Sequence, residues 1–381
     1  MAIETLESIG LFQAVCADPY KTAHKASENG RPVAGFMCSY SPQELFHAAG
    51  YYPVRITARH GGTPRADEII QAYSCSFARS VLDRALSGEF EFLDLVVFAH
   101  TCDTLQNVAD LWRSNRPEVP VVIVSGPTLT AGKPAQTYFR QELDRVHGVL
   151  ESLRGKISYE AIWDSLHLYE QHRAMMRRLY AVRRARPDLM SGQDLYWVVQ
   201  AAQLMSPEEH LPLLSDLVES LEAENGEAEC FQPRVMLAGS VCEDSGFISA
   251  IEEAGCTIVD DDLCMGSRSF LLPEAPEGDP MDALTHIYFS RIPCPAFHRP
   301  GFDPGQHMLE RAREAHADGV ILLLTKFCDP WAFDYPQIWN TLEMGGVPTL
   351  LLEVEQNVPA PAQLRTRVEA FVEMIQSKDE L

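Results

Sequence analysis

Short runs of consecutive apolar residues alternate along most of this chain with stretches whose apolar positions recur every three or four residues. YYPVRI, DLVVFAH and PVVIVSG read as strands in the first third, and RVMLAGS, CTIVDDD, GVILLLTKF and PTLLLEV in the last. Strands apolar at nearly every position are buried on both faces, which calls for a parallel sheet covered by helices on each side. The intervening helices include one beginning at Ser41-Pro42, with Pro at its first position and Gly50 at its end. Ser74 is placed to cap a second, FARSVLDRAL, and TLQNVADLWRSN, SGFISAIEEAG and PGQHMLERAREAHADG are others. From about residue 135 to 225 the strand signals vanish and long amphipathic stretches such as FRQELDRVHGVLESLRG take over. The expected architecture is α/β, with two Rossmann- or flavodoxin-like parallel-sheet domains at 1–134 and 231–381 flanking a helical segment at 135–230. Within that segment the basic run from Arg173 to Arg186 reads as a solvated helix face.

A repeat is superimposed on this pattern. Cys102-Asp103 follows the strand in DLVVFAHTCD, and Cys328-Asp329 follows the strand in GVILLLTKFCD. Each is followed by a tryptophan, Trp112 or Trp339, and then by Val-Pro and another strand, 17 and 19 residues beyond the cysteine. Ligands of open parallel sheets sit beyond the carboxyl ends of the strands, where both thiols fall. Cys75, in YSCSFARS, lies at a predicted helix start, where unpaired N–H groups favour a thiolate. Three thiolates from two domains are thus positioned to meet in one cleft.

The chain has ten cysteines and no CxxC pair, which disfavours zinc ribbons and thioredoxin-type redox sites. Soft thiolates select zinc, copper(I) or iron–sulfur clusters, and no HExxH or comparable histidine pattern points to catalytic zinc. An iron–sulfur cluster with three protein thiolates and one open position is the sharper reading. Cys38, in FMCSYSP, is a candidate for an extra ligand or a substrate-side residue, and Cys242 and Cys264 are expected to line the cleft at most. Cys16, Cys230, Cys256 and Cys294 read as small buried or loop residues, His100 as structural, and Asp103 and Asp329 as caps of the following turns.

Composition narrows the function classes. A net charge of −23 argues against a nucleic-acid surface, which needs concentrated Lys and Arg. No run of 18 apolar residues suggests a membrane span, and the acidic start MAIETLESIG does not read as a secretory signal, so a cytoplasmic location is expected. The terminal Lys378-Asp379-Glu380-Leu381 spells an ER-retention signal, which is read as coincidence. Neither GxGxxG nor a Walker-type phosphate loop occurs.

The stretches CSYSPQELFHAAGYYPVRI, SCSFARSVLD, VVFAHTCDTLQNVADLW, DDLCMGSR and KFCDPWAFDYPQIWNTLEMGGVPTLLLE, in this order, carry a resemblance over nearly the whole chain. The chain resembles the 2-hydroxyacyl-CoA dehydratase / benzoyl-CoA reductase family, most closely its smaller, D-component-like iron–sulfur subunits. The resemblance implies a 4Fe-4S cluster bound by Cys75, Cys102 and Cys328 and a paired subunit, paralogous or a second copy. It further implies an acyl-CoA substrate near the cluster and a separate ATP-dependent iron–sulfur activator that delivers single low-potential electrons. One electron on the thioester carbonyl makes a ketyl radical anion able to expel a neighbouring hydroxyl; a related branch reduces the ring of an aryl-CoA. Ser39, Tyr40 and Glu44 follow Cys38 in a stretch that looks substrate-facing, with helix capping around Pro42 as the competing role. Two alternatives stay open: a homodimeric reductase of small molecules carrying a double-cubane cluster, and a non-catalytic partner subunit.

Overall fold

A computed structural model describes residues 3–226, 230–359 and 362–379, so Glu380 and Leu381 of the terminal tetrapeptide lie outside the described residues. The chain opens with α1 (Ile3–Ala17), α2 (Lys21–Glu28), β1 (Val33–Phe36), α3 (Gln43–Ala48) and β2 (Tyr52–Arg55). It continues through α4 (Pro64–Asp67), α5 (Ser76–Leu86), β3 (Leu95–Ala99), α6 (Asp103–Asn115) and β4 (Val121–Val124). Four helices follow without a strand: α7 (Gly132–Arg154), α8 (Tyr159–Ala185), α9 (Gly192–Leu204) and α10 (Pro207–Ala223). The remainder runs β5 (Arg234–Gly239), α11 (Ser245–Glu253), β6 (Thr257–Leu263), α12 (Ser267–Phe270) and α13 (Pro280–Ser290). It ends with α14 (Pro304–Glu314), β7 (Gly319–Thr325), α15 (Asp329–Met344), β8 (Thr349–Val354) and α16 (Ala362–Asp379).

The strands form two four-stranded sheets, ordered β2-β1-β3-β4 and β6-β5-β7-β8, with every pairing parallel. The α/β expectation with two flavodoxin-like parallel sheets is met. Central strands β3 and β7 are buried at every position, and the period-2 alternation of side chains sorts them onto two faces. Val96 and Phe98 pack under α5 and α6, whereas Leu95 and Val97 face α7 and α13. In the second sheet Ile321 and Leu323 meet α11 and α16, while Val320 and Leu322 meet α14 and α15. Helix α13 therefore covers the first sheet although it lies among the strands of the second in sequence. The N-terminal α1 packs with α8, α9 and α10 in a separate all-helical core.

Two local expectations need correction. The basic run of α8 is not a uniformly solvated face, because Arg173 and Arg183 are buried. Arg173 pairs with Glu44 at 2.5 Å, and Arg183 donates to the Ile258 carbonyl at 2.7 Å and to Glu252 at 2.9 Å. Carboxylates and carbonyls distant in sequence supply the partners that make this burial tolerable. Helix starts also differ by one residue from expectation. Pro42 rather than Ser41 occupies the N-cap of α3, and Ser41 Oγ is buried without a partner. Cys75 rather than Ser74 caps α5. Among the described residues no helix is long and apolar enough to cross a membrane.

Candidate metal centre

In each sheet the chain order reverses between the first and third strands, β1 and β3 in one and β5 and β7 in the other. Such a switch point leaves a crevice outside the carboxyl ends of the two strands. Here both crevices open into one cleft, with about 680 Å³ of empty space, lined by Met37, Cys38, Thr101 and Cys102 from the first sheet. Ser240, Val241, Thr325 and Cys328 from the second sheet line it as well. Cys75, Cys264 and Cys294 complete the wall, so the cleft presents six of the ten cysteines.

The three cysteines singled out in sequence share one local device: each occupies a helix N-cap, Cys75 on α5, Cys102 on α6 and Cys328 on α15. Cys102 Sγ accepts from the Leu105 N–H at 3.5 Å. The N–H groups of Ala78 and Trp331 stand in the same i+3 relation to Cys75 and Cys328 and favour their thiolates. Three helix N-termini, with their partial positive charge, therefore point into one cleft. Asp103 and Asp329 are not the caps expected; they fill the first helical position, where a carboxylate also suits the dipole.

Burial opposes ionisation of the free thiols. It pushes Cys75 and Cys102 up to about 12 and Cys328 up to about 11, and it raises Cys264 and Cys294 as well. The thiols also raise one another's pKa, and these effects connect all six into one group. Cys328 acts on Cys75, Cys75 on Cys102, and Cys102 on Cys328. Likewise Cys38 acts on both Cys264 and Cys294, and Cys264 acts on Cys294. Cys38 also acts on Cys102, and Cys264 acts on Cys328 more than Cys102 does.

Buried cations surround this thiol-rich space in a chain whose net charge is −23. Arg268 binds Asp262 through Nε and Nη2 at 2.9 and 2.6 Å, and its charge favours the thiolates of Cys264 and Cys294. Arg291 holds the Ser39 carbonyl and Oγ and stacks 4.3 Å from the Tyr40 ring centroid. Arg55 lines the cleft directly.

Of the residues expected to face substrate, Ser39 lines both the thiol cleft and a neighbouring pocket shared with Glu44, while Tyr40 lines neither. Tyr40 is buried against Phe297 and its hydroxyl accepts from the Cys294 N–H at 3.1 Å. Glu44, in that polar pocket, is bonded to Arg173 and, at 2.7 Å, to the Tyr288 hydroxyl. Cys242 is buried in the core of the second sheet and does not line the thiol cleft, a bystander to it. Cys294 is not the bland loop residue expected and stands at the cleft wall. A signal existed for Cys264, which directly follows β6 much as Cys38 follows β1. Cys294, in the α13–α14 connection, follows no strand, and nothing local marks it.

The donor set tests what this cleft can hold. Among the described residues no three His, Cys, Asp or Glu side chains converge on a point as a ready-made ion site. Thiols spread around a cavity, with apolar neighbours Phe77, Leu105 and Trp331, fit a polynuclear iron–sulfur group better than one zinc ion.

Residues 38–375 match the family described as 2-hydroxyglutaryl-CoA dehydratase, D-component. The chain is 30% identical to the lactoyl-CoA dehydratase subunit beta of Anaerotignum propionicum, covering 95% of this chain and 96% of that one. It is 29% identical to the (R)-phenyllactyl-CoA dehydratase beta subunit of Clostridium sporogenes, covering 96% and 97%. To one of the benzoyl-CoA reductase subunits of Thauera aromatica it is 28% identical, covering 92% of each.

Proposed function

The chain belongs to the 2-hydroxyglutaryl-CoA dehydratase D-component family, and from that membership we propose that it is the iron–sulfur component of an ATP-dependent, activator-driven enzyme. The reaction is one-electron reductive chemistry on an acyl-CoA thioester, either dehydration of a 2-hydroxyacyl group or reduction of an aryl ring. The observation that carries the reading is the cleft in which two switch points face each other and present six thiols. Cys75, Cys102 and Cys328 are the ligands, each held by a helix N-terminus that favours its thiolate. When bound, an iron–sulfur cluster supplies single electrons at low potential, tuned by hydrogen bonds and burial. The chain's own part is to hold that group away from water, with Phe77, Leu105 and Trp331 as apolar walls, and to balance its charge with buried guanidinium groups. A second subunit, as in the relatives named as subunits, supplies the rest of the substrate site.

A second reading is favoured by the other three thiols. Cys38, Cys264 and Cys294 line the same cleft as the first three thiols, so six thiols are available to a double-cubane centre. Such a centre suits a homodimeric reductase of small molecules in place of acyl-CoA chemistry. Anaerobic reconstitution with iron and acid-labile sulfide assays tests both. About four irons per chain, unchanged in Cys294→Ala, supports the single cluster; about eight, halved by Cys294→Ala, supports the double-cubane reading. Protein without bound iron, or with the same iron content in Cys102→Ala, would sink the proposal. A spectral response of the loaded protein to an acyl-CoA marks the substrate class.

A further inference from the structure

Arg55 ends β2 at the cleft wall, 1% exposed, and its Nε and Nη1 have no hydrogen-bond partner. Its nearest carboxylate is Glu243, whose Oε1 lies 3.7 Å from Nε, beyond hydrogen-bond range, and is itself without a donor. The other Glu243 oxygen is taken by the Ala58 N–H. Of the neighbouring guanidinium groups, Arg268 is engaged with Asp262 and the Pro293 carbonyl, and Arg291 through both Nη atoms with Ser39 and the Arg268 carbonyl, its Nε alone lacking a partner. The Arg55 charge is paired with Glu243, but a buried N–H without an acceptor carries its full desolvation cost, so Nε and Nη1 at a cavity wall signal a missing acceptor. Arg55 already acts on this space, since its charge favours the thiolate of Cys264.

We propose that Arg55 is a positioning residue for the cluster, donating its free N–H groups to sulfur of the iron–sulfur group and holding its reduction potential up. This rests on the cluster reading of the preceding subsection. Sulfide and thiolate sulfurs accept hydrogen bonds, and each such bond, like each nearby positive charge, stabilises the more negative reduced form.

The test is an anaerobic redox titration, followed by electron paramagnetic resonance, of full-length wild-type, Arg55→Met and Arg55→Lys protein matched for iron content. In Arg55→Met the ratio of reduced to oxidised cluster at the wild-type midpoint is expected to fall about tenfold, equivalent to about 59 mV for one electron. Arg55→Lys keeps the charge but loses the planar fork, and its midpoint moves in the same direction by less. A wild-type titration curve in either iron-replete variant overturns the inference. Should Arg55→Met fail to take up iron, Arg55→Lys decides by the same criterion. Wild-type protein without iron would sink the cluster reading itself and the role of Arg55 with it, an outcome distinct from an unshifted midpoint.

Discussion

Glu44 is a carboxylate sealed from water, and its surroundings decide what it does. Arg173 Nη1 reaches it at 2.5 Å, the Tyr288 hydroxyl donates at 2.7 Å, and its own carbonyl accepts from Ser165. Removing one partner of a buried pair strands the other charge, which costs about 3–5 kcal/mol. Glu44→Gln is therefore expected to lose stability in urea denaturation by roughly 3 kcal/mol while keeping its iron. Unchanged stability with a raised KM would return Glu44 to the substrate-facing role its sequence position suggested. His210 makes a pH prediction. It is fully buried, its Nε2 donates to the Val198 carbonyl at 3.1 Å, and its Nδ1 must then accept from His172 Nε2 at 2.9 Å. Burial lowers His210 to about 4, so the folded state binds fewer protons than the unfolded one between about pH 6.5 and 4. Its contribution is whole above pH 6.5 and is lost as pH falls through this window, on the order of 3 kcal/mol. His210→Gln can keep both hydrogen bonds without titrating, and its denaturation curves should diverge from wild type below pH 6.5 in the sense of a shallower loss. Parallel curves would refute the assignment.

At the scale of elements, the cleft depends on how closely β5 approaches β7. Gly239 ends β5 with φ +154°, and a Cβ there would lie 2.3 Å from the Leu323 carbonyl oxygen. No side chain can move to relieve a clash with backbone, so Gly239→Ala must separate the two strands at the switch point. It is expected to cost more than about 2 kcal/mol and, by displacing Ser240 and Val241, to reduce iron retention, read by denaturation and iron assay. Much at this scale is legible in the chain. Strand runs such as GVILLLTKF announce themselves because parallel strands are apolar at every position, and the repeat around Cys102 and Cys328 marks equivalent strand ends. The caps fall one residue from expectation because Ser and Asp are the familiar N-cap residues, whereas here cysteine fills that position three times. Arg173 escapes a sequence reading because a basic helix looks the same whether it meets water or a carboxylate 129 residues away. Cys294 escapes it because the α13–α14 connection carries no periodicity, and its place at the cleft follows from α13 packing against the first sheet.

For the whole molecule, the placement of the thiols would make a cluster bound as proposed a structural tie between the two sheets. Cys38, Cys75 and Cys102 belong to the first sheet and its helices, and Cys264 and Cys328 to the second, with Cys294 in the α13–α14 connection. Even the trio of Cys75, Cys102 and Cys328 spans both sheets. A group bound only in the assembled cleft stabilises it by linkage, so the gain appears where the two sheets meet and not in helical cores that do not touch it. The core of α1, α8, α9 and α10 is such a region, built from Phe12, Leu179, Val198 and Leu214. Removal of iron by an anaerobic chelator should therefore speed amide hydrogen exchange at the N-termini of α5, α6 and α15 and leave α8–α10 unchanged. A cluster held by one trio predicts that the loops around Cys264 and Cys294 exchange alike before and after chelation. One held by six thiols predicts that they too lose protection. Uniform acceleration across all helices would mean that the metal governs global folding instead, and no change anywhere would mean that the thiols do not hold a metal group.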